Sequence, residues 1–370
     1  MTAEDERFMA VALELAGLGR GTVEPNPMAG AVLARGGAEL ARGWHKRFGG
    51  PHAEVEALAA ASAAGIDPAG ASLYVSLEPC CHWGKTPPCT DALIHAKVAR
   101  VVAAMTDPDH RVAGQGLAAL RQAGVQVACG VLEAQARRLL APYVKLRTQR
   151  RPWVLCKWAQ SADGFLAAPP SADRWISCRQ SRAYVHQLRG ACQAVCVGIG
   201  TVLADDPLLT NRSGSGGRPA RVVLDDGLAI PLDCRLVRSA GQTPLVVATT
   251  AQALAAQPAR AQALTLAGAE LLPLPGGAGG VDLPALLDDL GRRQWTYLLV
   301  EGGAKVLESF LSAGLADELL AFVSPRSFGP TAIGLPRFDI ADVRGRFSLG
   351  RPERQAIGDD LLMRWRLTEL

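Results

Sequence analysis

Aromatic residues are scarce in this chain, 5% of the total, and its charge is nearly balanced, with 39 Lys and Arg against 35 Asp and Glu. Together these shortages disfavour a nucleic-acid surface, which needs a basic footprint and aromatic platforms for stacked bases. The same balance gives no support to a membrane-surface role. No clean apolar run reaches transmembrane length, since even "LVVATTAQALAAQPAR" is broken by Thr, Gln, Pro and Arg. A basic leader is missing too: "MTAEDERFMA" is acidic where a secretory segment starts basic. Nor is the dinucleotide fingerprint complete, because in "VGIGTVLADD" Leu203 stands where GxGxxG requires its third glycine. The nine cysteines are an odd number. Without a leader they point to a reducing cytoplasm, and Cys129, Cys156, Cys192 and Cys196, in apolar segments, read as buried thiols.

What is present is length and order. At 370 residues the chain exceeds the usual size of one core, so two domains are expected. The first part alternates regularly. "DERFMAVALELAGL" has helical spacing, "AGAVLAR" and "AELARGWH" are strands joined by a Gly-Gly turn, and "HAEVEALAAASAAG" is a helix. "SLYVSLEP", "ARVVAAMTD" and "VQVACG" follow as strands, with "PPCTDALIHA", "GQGLAALRQAG" and "EAQARRLLAPYVKLR" as helices. That alternation predicts a mostly parallel sheet sandwiched by helices. The basic stretch "RTQRRPW" marks the boundary, giving domains 1–147 and 152–370. A second α/β series starts at "WVLCKWAQSADG", with strands at "AVCVGIG", "ARVVLDD", "PLVVATT", "TYLLVEGG", "ELLAFVS" and "LLMRWRL". The alanine-rich tract 251–269 reads as a helix, and "RSGSGGRP" and "PLPGGAGG" as exposed, mobile loops.

One constellation stands out. His52 and Glu54 follow Pro51, Cys80 follows Pro79, and Cys89 follows "TPP". Proline belongs in a helix's first turn, so His52 and Cys80 are both expected at helix N-termini. There His52 and Glu54 can point forward to a common centre, and the positive end of the dipole favours thiolates. One imidazole and two thiolates form a zinc set with an open fourth position. Glu54 is then the general base that moves a water proton to a leaving group. His-x-Glu followed by Pro-Cys and a second cysteine is the signature of nucleobase deaminases. Eight residues separate Cys80 from Cys89 where two are common, and Cys81 reads as a bystander.

"PNPMAGAVL", "GWHKRFGGPHAEVEAL", "LEPCCHWGKTPPCTDALI" and "DPDHRVAGQG", in that order, resemble the deaminase half of the bifunctional riboflavin-biosynthesis deaminase/reductases. The resemblance implies a cytidine-deaminase-like three-layer α/β/α domain acting on a 2,5-diamino-6-ribosylamino-pyrimidinone phosphate. It also implies that Asn26 contacts the pyrimidine and that Lys85 and Thr86 hold the phosphate. The family's Asp-Pro-Asn-Pro is here Asp107-Pro108-Asp109-His110, a departure at residue 109.

In the second half, two strands end in glycines before a helix, at Gly198 to Thr201 and at Glu301 to Gly303, where bare backbone can approach a phosphate. "KWAQSADG", "RWIS", "LR", "GTVLADDPLLTNR", "VVLD" and "VEGG" resemble the reductase half of the same family, with a dihydrofolate-reductase-like α/β domain that uses NADPH. By that resemblance Ala159, Trp175, Thr201, Asp205, Asp226 and the segment Gly303, Ala304, Lys305, Val306, Leu307, Glu308 and Ser309 line the dinucleotide site. Asp173, Arg189, Leu209, Arg212 and Glu301 line the substrate site. Two arginines suit a ribose phosphate, and Lys157 or Asp205 is the candidate for donating a proton to the sugar or orienting it. Asp226 stands where the family often has Ser; it would repel a 2′-phosphate, with Arg218 and Arg221, which flank the same strand, as compensating cations.

The resulting expectation is a two-domain α/β enzyme: water, zinc and Glu54 deaminate the pyrimidine, and NADPH then reduces the ribose to ribityl. Rivals are a deaminase with a diverged reductase-like domain, and a zinc-stabilised binding module without chemistry. Small phosphorylated pyrimidines are the expected partners, without nucleic acid or membrane, and the family implies a homo-oligomer.

Overall fold

In the computed structural model, which describes residues 2–277, 280–332 and 334–369, the chain divides after Arg150 into two compact units. The first contains α1 (Ala3–Gly17), β1 (Gly30–Arg35), β2 (Ala38–Trp44), α2 (Ala53–Ala63), β3 (Ser72–Val75), α3 (Cys89–His95), β4 (Arg100–Ala103), α4 (Gln115–Gln122), β5 (Gln126–Cys129) and α5 (Glu133–Gln149). Its sheet runs β2-β1-β3-β4-β5. The β3-β4-β5 part is parallel, but β1 is antiparallel to both β2 and β3, so the sheet is mixed rather than mostly parallel. Gly36 and Gly37 explain the hairpin: both have positive φ, which a two-residue reversal between strands requires.

Alternation along the strands builds two cores. Val32, Ala34, Tyr74 and Val102 meet Phe8, Met9, Leu140 and Tyr143 of α1 and α5 on one face. Ala31, Leu33, Leu73, Val75 and Val101 meet Ala53, Ala57, Leu93 and Leu117 of α2, α3 and α4 on the other. The result is three layers. A Cβ on Gly43 would lie 2.4 Å from the Ala57 nitrogen and 2.7 Å from the Ala53 carbonyl. Only glycine therefore lets α2 lie flat on β2, and that contact sets the helix end carrying His52 and Glu54.

The second unit contains β6 (Trp153–Gln160), α6 (Arg179–Ala191), β7 (Ala194–Gly198), α7 (Ile199–Asp205), β8 (Ala220–Leu224), α8 (Arg235–Arg238), β9 (Leu245–Thr250), α9 (Ala251–Ala256), α10 (Pro258–Leu266) and β10 (Ala269–Leu274). It continues with β11 (Gly276–Gly277), β12 (Gly280–Val281), α11 (Leu283–Arg292), β13 (Tyr297–Val300), α12 (Ala304–Ser312), β14 (Glu318–Val323), α13 (Ile340–Arg346), β15 (Glu353–Ile357) and β16 (Asp360–Arg366). Its main sheet has nine strands in the order β10-β9-β8-β7-β13-β6-β14-β16-β15, parallel from β10 to β14 and antiparallel at β16 and β15. Near-continuous apolar strands such as β7 and β13 suit a sheet covered on both faces.

The 251–269 tract is not one helix. Pro258 starts a second helix after the first ends, and Ala269 opens edge strand β10. "RSGSGGRP" is tied down by the Asn211 amide, which donates to the Ser215 and Gly217 carbonyls. Of "PLPGGAGG", Pro273 and Leu274 belong to β10, while Gly276–Gly277 pairs with Gly280–Val281; Ala278 and Gly279 lie outside the described residues. Cys156, Cys192 and Cys196 are buried as expected, whereas Cys129 is half-buried. Among the described residues no helix is long and apolar enough to cross a membrane.

Candidate active sites

His52 is the N-cap of α2, in extended backbone after Pro51, and Cys89 is the first residue of α3 after Pro88. His52 Nδ1 lies 3.5 Å from Cys80 Sγ and 3.3 Å from Cys89 Sγ. The three donor atoms lie within 4.8 Å of one another. Tetrahedral zinc at ordinary Zn–N and Zn–S lengths needs N···S separations of about 3.5 Å, so the donor set fits zinc in both chemistry and spacing. Among the described residues, no other group of three His, Cys, Asp or Glu side chains could hold a metal ion, and Cys81 is not part of this one.

Cys80 does not begin a helix, contrary to the sequence expectation. The turn after Pro79 stays irregular, and Pro87 and Pro88 delay the helix to Cys89. Cys80 still meets the dipole, because its sulfur accepts the Cys89 N–H at 3.4 Å. Its position comes from long-range packing: a Cβ on Gly116 would sit 2.0 Å from the Pro79 carbonyl, so α4 presses on the peptide before Cys80. Glu78, unnoticed in the sequence, fixes that helix end by accepting the Gly114, Leu117 and Asp107 N–H groups.

The Cys89 thiol, and then His52 and the Cys89 N–H, hold the Cys80 thiol down to about 4 against the opposing effect of burial. Cys89 is pushed up by the Cys80 sulfur and by burial, and the Cys80 sulfur draws His52 up. A divalent cation would make thiolates of both. Glu54 is only 4% exposed, and burial raises its pKa while its carboxyl reaches the Cys89 sulfur. That is the environment of a group able to take and return a proton.

Around this centre, the Asn26 amide touches His45 Nε2 at 3.2 Å, and the His45 ring stands edge-on to His52 at 5.2 Å. His45 is buried, with Nδ1 on the Pro51 carbonyl; the sequence reading passed over it. Lys85 lies in the ligand-bearing loop with its ammonium 3.9 Å from the centre of the Phe48 ring. Half-buried Thr86 folds the same loop by accepting the Gly84 N–H at its carbonyl. Asp109 is buried and held as a carboxylate, at about 2, by Arg111 against burial.

In the second unit, the C-terminal ends of the parallel strands β6, β13 and β7 lie side by side, and β13 is inserted beside β6 where the strand order reverses, a position that favours ligands in such sheets. Glu301 follows β13 and is clasped by Arg189, with Nε 2.6 Å from Oε1 and a second nitrogen 3.0 Å from Oε2, and by Lys157 at 3.4 Å. Burial opposes its charge, yet Arg189 and Lys157 outweigh it and hold Glu301 at about 2. Nε and one terminal nitrogen of Arg189 are thereby engaged, its other terminal nitrogen donates to the Thr210 carbonyl, and Arg212 is exposed. Ala159 lies two residues beyond Lys157 on the same face of β6. Thr201 Oγ1 would be 3.7 Å from a Cβ on Gly303, so the two glycine-bearing strand ends meet.

The rest of the Gly303–Ser309 segment divides. Leu307 is fully buried in the core, and Val306 packs on Gly198 and Gly302. Glu308 pairs with Arg346, and the Ser309 hydroxyl donates to the Lys305 carbonyl. Gly303, Ala304 and exposed Lys305 lie at the helix start, where the first backbone N–H groups lack intrahelical partners. Trp175 is 44% exposed, flanked by Arg174 and Arg182, and Asp173 accepts its N–H. Exposed Asp205 ends α7, and buried Leu209 has φ +54°.

Asp226 lies exposed beyond the C-terminal end of β8, its carbonyl accepting the Thr250 hydroxyl. The expectation that Arg221 offsets its charge fails. Arg221 is fully buried at the other end of β8, donating to the Pro244, Ser239 and Thr243 carbonyls and to the Ser239 hydroxyl. Five residues along a strand span roughly 16 Å. Arg218 precedes that same far end.

A His-Cys-Cys centre with a buried glutamate on a three-layer unit, followed by a largely parallel sheet with glycine-rich strand ends, defines a zinc deaminase joined to a reductase-type unit. Two family models match: the cytidine and deoxycytidylate deaminase zinc-binding region over residues 2–105 and the RibD C-terminal domain over residues 152–346. The riboflavin biosynthesis protein RibD of Aquifex aeolicus is 37% identical over 97% of both chains, and that of Escherichia coli 38% over 90% of both. The chain also superposes on Acinetobacter baumannii RibD with a TM-score of 0.82 at 32% identity, covering 99% of each chain. A Thermotoga maritima diaminohydroxyphosphoribosylaminopyrimidine deaminase/5-amino-6-(5-phosphoribosylamino)uracil reductase gives 0.81 at 33%, covering 98% of each. The chain belongs to the RibD family of riboflavin-biosynthesis deaminase/reductases.

Proposed function

We propose that the chain deaminates 2,5-diamino-6-ribosylamino-4(3H)-pyrimidinone 5′-phosphate and then reduces the ribose of 5-amino-6-(5-phosphoribosylamino)uracil with NADPH. The supporting observation is the convergence of His52, Cys80 and Cys89 beside the buried carboxyl of Glu54. Zinc, when bound by those three residues, supplies the Lewis acidity that brings a water proton within reach of a carboxylate near neutral pH. Glu54 takes that proton and returns it to the departing amino group, so the C–N bond breaks, ammonia leaves and the ring carbon keeps the water oxygen. Asn26, held against His45, orients the pyrimidine, while Lys85 and Thr86 meet the phosphate.

In the reductase step NADPH supplies the hydride to C1′ of the open-chain ribose. Gly303, Ala304 and Thr201 offer backbone and hydroxyl groups to the dinucleotide, and Arg212 meets the substrate phosphate. Lys157, held by Glu301, or Asp205 is the candidate for donating a proton to the sugar or orienting it. That copies associate and that the enzyme works in the cytoplasm are readings carried by the family resemblance. The test is product analysis by mass spectrometry with the diaminopyrimidine phosphate supplied. Without NADPH the product should lose one amino group and gain an oxygen; with NADPH it should gain two further hydrogens. No deaminated product from zinc-loaded protein would overturn the proposal.

A further inference from the structure

One turn apart on α6, His186 and Arg189 donate to the same acceptor, the Thr210 carbonyl, each at 3.2 Å. A carbonyl only accepts, so His186 Nδ1 carries the proton. Thr210 follows Leu209, which is buried and has φ +54°, a left-handed conformation that is strained for a leucine. Such conformations persist where the surroundings over-determine them, and two donors on the next carbonyl are that over-determination. Two residues on comes Arg212; burial, then Arg189 and Arg212, lower the His186 pKa. Arg189 is itself locked to Glu301.

We infer that His186 is a positioning residue of the reductase site. It pins the Thr210 carbonyl, holds the Leu209 corner in its left-handed form and so presents Leu209 and Arg212 to the phosphorylated substrate. The inference rests on the reading of Leu209 and Arg212 as substrate-lining residues. It needs no contact between His186 and the substrate. It explains why a helix turn bearing one committed arginine also carries a histidine.

The test is steady-state kinetics of the intact protein with the deaminated phosphoribosyl substrate. His186→Leu, which removes the donor, should raise KM for that substrate about fivefold or more. The KM for NADPH, kcat and the deaminase activity should stay within about twofold. His186→Gln, which keeps an N–H donor, should recover most of the loss. A fall in kcat at unchanged KM, an equal rise in the NADPH KM, failure of glutamine to rescue, or no effect would each overturn the inference. Should His186→Leu not fold, His186→Ala takes its place: a His186→Gln KM as poor as that of His186→Ala sinks the idea. Arg212→Met tests the underlying reading separately, since an unchanged substrate KM there removes the substrate-lining role without bearing on the clamp.

Discussion

In the first unit the metal ligands come from two short segments, and each is a residue type that zinc itself demands. The second unit builds its site from partners far apart in the chain. Glu301 is separated from Arg189 by 112 residues and from Lys157 by 144. There two cations close on one carboxylate, and the glycine-bearing strand ends bring bare backbone beside them. The first site is specified by chemistry that few side chains can supply, the second by topology that many sequences can supply. The first unit should therefore fail abruptly on single substitutions, and the second by degrees.

The largest expected effects lie at the metal. Cys80→Ser and Cys89→Ser should each empty the site and abolish deamination, as should removing zinc with a chelator. Cys81→Ser should leave zinc in place, as elemental analysis of the purified variants will show. Metal loss from the Cys81 variant would break the assignment of the three ligands. Next comes Glu54→Gln, which removes the proton carrier but no ligand. Zinc and fold should survive while deamination falls by about 10² to 10⁴. Reduction of already deaminated substrate should continue, and loss of both activities in a folded protein would give Glu54 a structural role instead.

That asymmetry also explains what could be read in advance. His52, Glu54, Cys80 and Cys89 were legible because their types and order have few other uses. Helices such as α2 and buried strands such as β7 were legible from periodicity. Strand β10 was missed because Pro273 argues against a strand, and only an edge position tolerates it. The wrong helix start at Cys80 came from a local proline rule, while packing of α4 on Pro79 decides the geometry. Arg221 reads as a surface cation in sequence, and nothing local foretells four partners from the Ser239–Pro244 turn.

A smaller effect is expected from Glu301. Its folded pKa of about 2 lies below its ordinary 4.5, so its charge adds stability that is fully present above pH 4.5 and is lost as pH falls toward 2. The difference corresponds to about 3 kcal/mol. Urea unfolding of the wild type between pH 5 and pH 3 should show part of that decline. Glu301→Gln should flatten it and be less stable at pH 7, since it leaves Arg189 and Lys157 half-buried without their carboxylate. An unchanged pH slope in the variant would mean that the charges around Glu301 do not hold the unit together.

The smallest effect concerns the dinucleotide, and it sharpens the comparison because one surface carboxylate is at issue. β7, α7 and β8 form a parallel strand-helix-strand unit, and in such units an acidic residue at the end of the second strand sits where an adenosine ribose binds. Asp226 occupies that end. With Arg221 buried and Arg218 at the opposite end of β8, neither offsets the repulsion between this carboxylate and a 2′-phosphate. Arg260 does come near, donating to the Leu228, Ala229 and Ile230 carbonyls of the following turn; burial raises the neighbouring Asp225, and Arg260 opposes that rise only weakly. Its nitrogens are largely committed there, so it can soften the repulsion without supplying a phosphate grip. NADPH should remain the better substrate, by a narrow margin over NADH. Asp226→Ser should widen the ratio of the two kcat/KM values by up to about tenfold, or 1.4 kcal/mol. An unchanged ratio would place Asp226 away from the ribose, and a wild-type preference for NADH would show that the carboxylate decides the cofactor.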